Sequence, residues 1–330
     1  MTLQRAAFWM FWLIGTVMLA VVVNVAARLA ENGEFEQLAA NIEPHWLLLA
    51  VALQAATYGV GGWIWRYLGR NGGYALGVGD AVRLSLAELF VDQALPSAGL
   101  SGTLLVARVL MQRGVERALV TAGVVVRAVS YYNAYVVALM AAVALTIVHH
   151  QSNRVLILAA LGFAAFAATF SACALLLVGP SHARWRRRLA SHRLLSRVLA
   201  LAADADPRIA RDPRLLAVAS LLQLLVILLD VATMAVLIRA LGVSTPVTGV
   251  FTSFMLASLF RSLGILPGGL GSFEAVSVWT LGMTGLPVSV ALSATLAFRI
   301  LSFWLPMLPG FWYSRHALAR DVKDVRDGQS

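Results

Sequence analysis

Six long apolar stretches constrain this chain more than any other feature. About 20 consecutive apolar residues cross the ~30 Å hydrocarbon core of a bilayer as a helix. Stretches near 8–27, 46–65, 119–148, 155–178, 215–238 and 287–313 each reach that length. Hydrophobic residues make up 60% of the 330 positions and charged residues 13%, against roughly 45–50% and 25% in a soluble domain. An ordinary cytosolic enzyme and a disordered chain are both excluded. The first stretch follows Arg5 like a signal peptide, yet it lacks a clean small-residue cleavage site and is too long, so it reads as an uncleaved span. The single cysteine, Cys173, permits no intrachain disulfide and no thiolate metal cluster.

The net charge is +10, and 25 of the 26 basic residues are arginine. These arginines sit between apolar stretches rather than on a soluble basic domain, which argues against nucleic acid. With the N-terminus in the cytoplasm, 20 basic residues fall inside, three outside and three within apolar sequence. That asymmetry follows the positive-inside rule and predicts both termini in the cytoplasm. Residues 184–202 carry six arginines interleaved with Trp185, Leu189, Leu195 and Leu199. They read as a basic amphipathic helix on the cytoplasmic face, or as an ordinary positive-inside loop.

Two further apolar regions are too short to span and are interrupted. The first breaks around Pro96 and Gly99, between helical stretches near 80–95 and 103–112. The second breaks at Pro267, Gly268, Gly269 and Gly271, between 247–266 and a short helix ending near 281. Each reads as a re-entrant hairpin, the first entering from the cytoplasm and the second from outside. The two breaks share landmarks in one order. Gly114 and Gly285 each follow the proline by 18 residues, and Arg127 and Arg299 follow it by 31 and 32. The pattern predicts an inverted repeat, with half-repeats near 46–148 and 215–313. Interrupted segments in corresponding positions of two halves point to a transport site near the midplane.

Ionisable groups within spans are functional candidates by default. Arg127 lies about 15 Å along its helix from Arg117, and Arg299 about 18 Å from Pro287. Asp230 lies about 13–14 Å before Arg239. Arg261 and Glu274 flank the second break, and Glu88 and Asp92, spaced i, i+4 on one face, precede the first. Guanidinium groups suit a phosphate, and the helix N-termini after the breaks, near Thr103 and Phe273, would add free backbone N–H groups. The plainer alternative is a set of structural ion pairs, Arg299 with Glu274 for example. No HExxH, GxSxG, P-loop or Cys/His ligand set occurs, so neither enzyme chemistry, metal nor cofactor is expected.

The second motif, Pro267-Gly268-Gly269-Leu270-Gly271 with Glu274, Gly285, Pro287, Ala291, Arg299 and Gly310, resembles the flippase-like family of the transmembrane region of lysylphosphatidylglycerol synthases. Pro96, Arg108, Gly114, Ala118 and Arg127 give a looser match in the first half. The resemblance covers about 8–313, and it departs where this chain has Thr103 and Val126 in place of an acid that many members carry. It implies movement of lipid between leaflets. The synthases' aminoacyl-transfer domain has no counterpart here, so this chain resembles a stand-alone member.

The resulting expectation is an all-α polytopic protein of the bacterial inner membrane, with six full spans and two opposed re-entrant hairpins. Residues 1–314 form the membrane domain, 179–214 the basic cytoplasmic loop and 315–330 a cytoplasmic tail. The expected activity is transbilayer movement of a phosphate-containing lipid, such as a phospholipid or a polyprenyl-linked or hopanoid-pathway lipid. The partner is then a lipid with an anionic head group. Two rivals remain open: a secondary transporter of a small anion, and an accessory subunit partnering a lipid-biosynthesis enzyme.

Overall fold

The computed structural model describes residues 42–94, 100–148, 154–178, 204–262 and 267–315, together with Asn24. The expected first span, the basic loop 184–202, the tail after 315, and Pro96 and Gly99 of the first break lie outside the described residues. The described chain is helical: α1 Pro44–Asn71, α2 Val78–Ala94, α3 Leu100–Gln112, α4 Arg117–Val148, α5 Arg154–Leu176, the one-turn α6 Pro207–Ala210, α7 Pro213–Ala240, α8 Val247–Ser262, α9 Ser272–Met283 and α10 Val288–Arg299. Beyond α10 the helix continues to Arg315. It passes through a wider π turn at Ile300–Trp304.

Four helices are long and apolar enough to cross a bilayer among the described residues: α1, α4, α7 and the continuous helix Val288–Arg315. Shorter apolar helices are Ala160–Leu176, within α5, and α8. The protein is a polytopic membrane protein. Local sequence sets the boundaries. Asp212 caps α7 by accepting from the Arg214 and Leu215 N–H groups, and Pro213 follows at the first helical position, where it needs no donor. Gly73, Gly114, Gly242 and Gly285 end α1, α3, α7 and α9 with positive φ, a conformation glycine adopts without steric penalty.

Packing repeats in the same order on both sides. Helix α1 lies on α2, α2 on α3, and α3 on α4; α7 lies on α8, α8 on α9, and α9 on α10. The sets also interlock, because α8 packs on α4 while Gly310, in the last span, sits against Leu86 and Phe90 of α2. Helices α1, α4 and α7 run through two cores. One core gathers Phe254, Phe273, Phe298 and their neighbours; the other gathers Trp65, Leu84, Val106 and Val124 around α2 and α3.

Close backbone approach brings α2 and α3 together. A Cβ on Gly102 would run into the Glu88 carbonyl and the Asp92 carboxylate. In the last span, Pro306 has no N–H to give the Ser302 carbonyl, and the Leu305 N–H bonds Ile300 rather than Leu301. Both freed carbonyls are taken by side chains from the first half. The Tyr58 hydroxyl donates to Leu301, and Gln93 Nε2 donates to Ser302 at 3.1 Å.

Gly102→Ala should therefore destabilise the protein by about 1–3 kcal/mol through overpacking. Gly59→Ala, where a Cβ meets nothing within 4 Å, should leave stability unchanged or raise it by up to about 1 kcal/mol. Thermal unfolding of the two variants in one detergent makes the comparison, and equal melting temperatures would refute the close contact.

Candidate functional site

Each half buries one arginine against one glutamate. In the second half, Arg299 of α10 donates from Nε to Glu274 Oε1 at 2.6 Å and from Nη2 to the Gly268 carbonyl at 2.9 Å. Glu274 Oε2 accepts the Gly271 N–H at 2.7 Å. The side chains of Arg299 and Glu274 are 3% and 5% exposed. Arg299 also lies over the rings of Phe303, at 4.4 Å, and Phe273, at 5.4 Å. This guanidinium is surrounded by its own chain.

In the first half, Arg127 of α4 grips Glu88 of α2 bidentately, Nε to Oε1 and Nη2 to Oε2, both at 3.1 Å. Trp65 Nε1 donates to Glu88 Oε2 at 2.7 Å, and Thr103 Oγ1 donates to Oε1 at 3.0 Å. Glu88 is thus shared by four helices, α1, α2, α3 and α4. Arg127 Nη1 is buried and has no hydrogen-bond partner among the described residues. Asp92, one turn further along α2, accepts the Gly102 N–H on Oδ1 at 2.6 Å.

The acid has changed helices between the halves. At the 171-residue offset of the prolines, Glu274 corresponds to Thr103 and Glu88 to Leu259. Thr103 hydrogen-bonds the carboxylate that Glu88 delivers from the opposite arm, so the arginine meets an acid in both halves. One N–H at each of the two helix starts is already engaged. The N–H groups of Gly102 and Gly271 are bound by Asp92 and Glu274, because a buried donor without a partner is costly and the nearest carboxylates supply one.

A third polar group lies between the halves. Arg261 Nη2 of α8 donates to the Tyr135 hydroxyl at 3.0 Å, and its charge interacts with Asp230 and Tyr131. Asp230 of α7 accepts from Gln54 Nε2 at 3.3 Å. Phe273 has Arg261 at 5.8 Å and Arg299 at 5.4 Å from its ring centre, an aromatic wedge between two cations. Among the described residues no group of His, Cys, Asp and Glu is arranged to hold a metal ion.

All seven ionisable candidates thus gather into these three clusters, and Gly268 contributes the carbonyl that receives Arg299. Sequence reasoning missed Trp65, Tyr58, Gln93, Gln54 and Tyr135, and marked Thr103 as a helix start without foreseeing that its hydroxyl donates to Glu88. One usable signal was present: a buried indole N–H needs an acceptor, and Trp65 stands in a span whose following helix carries Glu88.

Residues 12–310 match the family described as the lysylphosphatidylglycerol synthase TM region. The chain belongs to that family. Two proteins of Methanothermobacter thermautotrophicus, each described as a UPF0104 membrane protein, are similar to parts of it. One is 35% identical over 111 residues, 34% of this chain and 33% of the relative; the other is 28% identical over 81 residues, 24% of each. The chain therefore matches about a third or less of the length of these curated relatives. For this member of the lysylphosphatidylglycerol synthase TM region family, the Pro-Gly-Gly-Leu-Gly break is the segment that seats Arg299 on Glu274 and Gly268.

Removing one partner of a buried pair leaves an uncompensated charge, which costs about 3–5 kcal/mol. Glu274→Ala should lower the melting temperature sharply, and Glu274→Ala/Arg299→Ala should recover most of the loss. A double variant no more stable than Glu274→Ala would show that the two side chains do not act as a pair.

Proposed function

We propose that this protein moves a phosphate-containing lipid between leaflets, with Arg127 and Arg261 as the head-group contacts and Arg299–Glu274 as a structural latch. The observation that carries the assignment is the difference in access between two guanidiniums that each use Nε and Nη2: the Arg127 side chain is 17% exposed and that of Arg299 3%. Arg299 lies against its own chain under two aromatic rings. Arg127 Nη1 has no hydrogen-bond partner among the described residues, and the one hydrogen bond of Arg261 among them goes to Tyr135. A guanidinium with spare N–H groups binds a phosphate oxygen with charge-assisted geometry. Membership of a family named for the membrane region of a lipid synthase supports a lipid over a soluble anion.

The same reading makes α2–α3 and α8–α9 two re-entrant hairpins entering from opposite faces, in a plasma membrane with both termini cytoplasmic. The matched packing order and the matched glycine ends of the two halves support it. Alternating exposure of the site then comes from one half moving against the other. The protein acts by binding and release, without bond-making chemistry.

Two measurements test this. Single cysteines at Asn71 and Ser244, both exposed, in a Cys173→Ala background should react with an impermeant thiol reagent from opposite faces, Asn71→Cys from the cytoplasmic one. Same-side labelling would sink the inverted arrangement. In proteoliposomes, phosphatidylglycerol with a fluorescent tail should change leaflets faster than in empty vesicles. Arg261→Gln/Asp230→Asn, which removes both charges of that buried pair, should slow that movement about ten- to a hundredfold, the loss of one hydrogen bond to a charged group, while the protein stays folded in a melting assay. Uptake of soluble phosphate with no lipid movement would favour a small-anion transporter instead.

A further inference from the structure

The buried charges are balanced in one half and unbalanced in the other. In the second half, Glu274 and Asp230 face Arg299 and Arg261. In the first half, among the described residues, Glu88 and Asp92 face Arg127 alone. Residues 95–99 and 263–266 contain no ionisable side chain.

The geometry also shows which carboxylate is left over. Glu88 takes both the Nε and the Nη2 of Arg127, one on each oxygen, and adds Trp65 and Thr103. Asp92 receives only the Gly102 N–H, on Oδ1, among the described residues. The charged groups acting on it are Glu88 from its own helix, which repels, and Arg127 from α4, already engaged. From α1 comes the Trp65 indole, from α3 the Gly102 N–H and Thr103 hydroxyl, and from the last span the Ser302 carbonyl. The break Pro267–Gly269 also packs on α2; the guanidinium it brings near, Arg299, is bound to the Gly268 carbonyl and neutralised by Glu274. Among the described residues, a second negative charge one helical turn from Glu88 therefore has no counter-ion of its own.

We propose that Asp92 is a proton-binding site that couples lipid movement to the proton gradient. This rests on the lipid-transport reading above. A hydronium ion on one face gives its proton to Asp92 Oδ2, which has no partner among the described residues; one hydronium O–H bond breaks as the carboxyl O–H forms, and on the other face the carboxyl O–H breaks as a water molecule takes the proton. The same cluster holds the unpartnered Nη1 of Arg127. With Asp92 ionised, a phosphate approaching Nη1 meets a second negative charge beside Glu88. With Asp92 neutral, that repulsion is gone. Proton and phosphate therefore favour each other's binding, and the coupling is reciprocal. The proton travels with the anionic head group in the same direction. The four-residue spacing of Glu88 and Asp92 on α2 places both acids on the face that meets α3 and α4, and Gly102 lets α3 approach closely enough to donate to the second of them.

Two readouts decide it, both on the full-length protein in liposomes. Infrared difference spectra across a pH titration should show a neutral carboxylic C=O band that disappears as pH rises. The band should be missing in Asp92→Asn, whose amide oxygen still accepts the Gly102 N–H, and present in Asp230→Asn. A band that survives in Asp92→Asn, or its absence from the unmodified protein, overturns the proton site whatever the lipid result. The second readout is the initial rate of fluorescent-tail phosphatidylglycerol movement, with and without an imposed pH gradient and with the membrane potential clamped at zero. The unmodified protein should move lipid several-fold faster down the gradient, and Asp92→Asn should show one rate under both conditions. Lipid movement that ignores the gradient in the unmodified protein overturns the coupling and leaves the lipid-transport reading standing. No lipid movement in any condition overturns the lipid-transport reading itself, and the coupling falls with it.

Discussion

The arginine–glutamate pairs hold this bundle together, and most of its local features follow from burying them. A guanidinium inside a membrane protein needs a partner for its charge and for its N–H groups. Arg127 and Arg299 both find a carboxylate on a neighbouring short helix, so each ties a long span to a broken hairpin. The backbone of the break participates as well: the Gly268 carbonyl receives Arg299, and the Gly271 N–H is held by the glutamate that Arg299 neutralises. Irregular backbone at membrane depth is stable only when its polar groups are satisfied inside the protein. Here the ion pair and the broken helix satisfy one another.

The two halves solve this problem with different helices. The second half takes its acid from the arm after the break, and the first half takes it from the arm before, where Thr103 and Trp65 complete the shell around Glu88. Relocating the acid keeps the pair but alters its surroundings. Arg299 is enclosed by Phe273 and Phe303, whereas Arg127 is more exposed and has a second carboxylate, Asp92, acting on it. The two sets of helices, packed in the same order, thereby acquire unlike electrostatics.

Contacts between the halves follow the same economy of polar groups. The π turn and Pro306 leave two carbonyls of the last span without helical partners, and Tyr58 and Gln93 bond them from α1 and α2. These bonds connect the helix just after Arg299 to the helix that carries Glu88 and Asp92. Any motion of one half against the other has to exchange or carry them.

Periodicity, charge and spacing in the sequence determined the helical class, four of the six expected long spans, the break at Pro267–Gly271 and the arginines that had to be buried. Those properties depend on hydrophobic length and on local backbone chemistry, both of which are written along the chain. Which acid neutralises which arginine was decided only by tertiary structure. Glu88 and Arg127 are 39 residues apart and lie on helices brought together by α3, and nothing in the local sequence marks Thr103 as the hydroxyl that replaces an acid. The occupied N–H groups of Gly102 and Gly271 belong to the same class, since a donor at a helix start reads as free until the packed chain shows what fills it. The leftover charge on Asp92 is likewise a property of the assembled cluster. It arises from counting partners around one guanidinium, and that count exists only after folding.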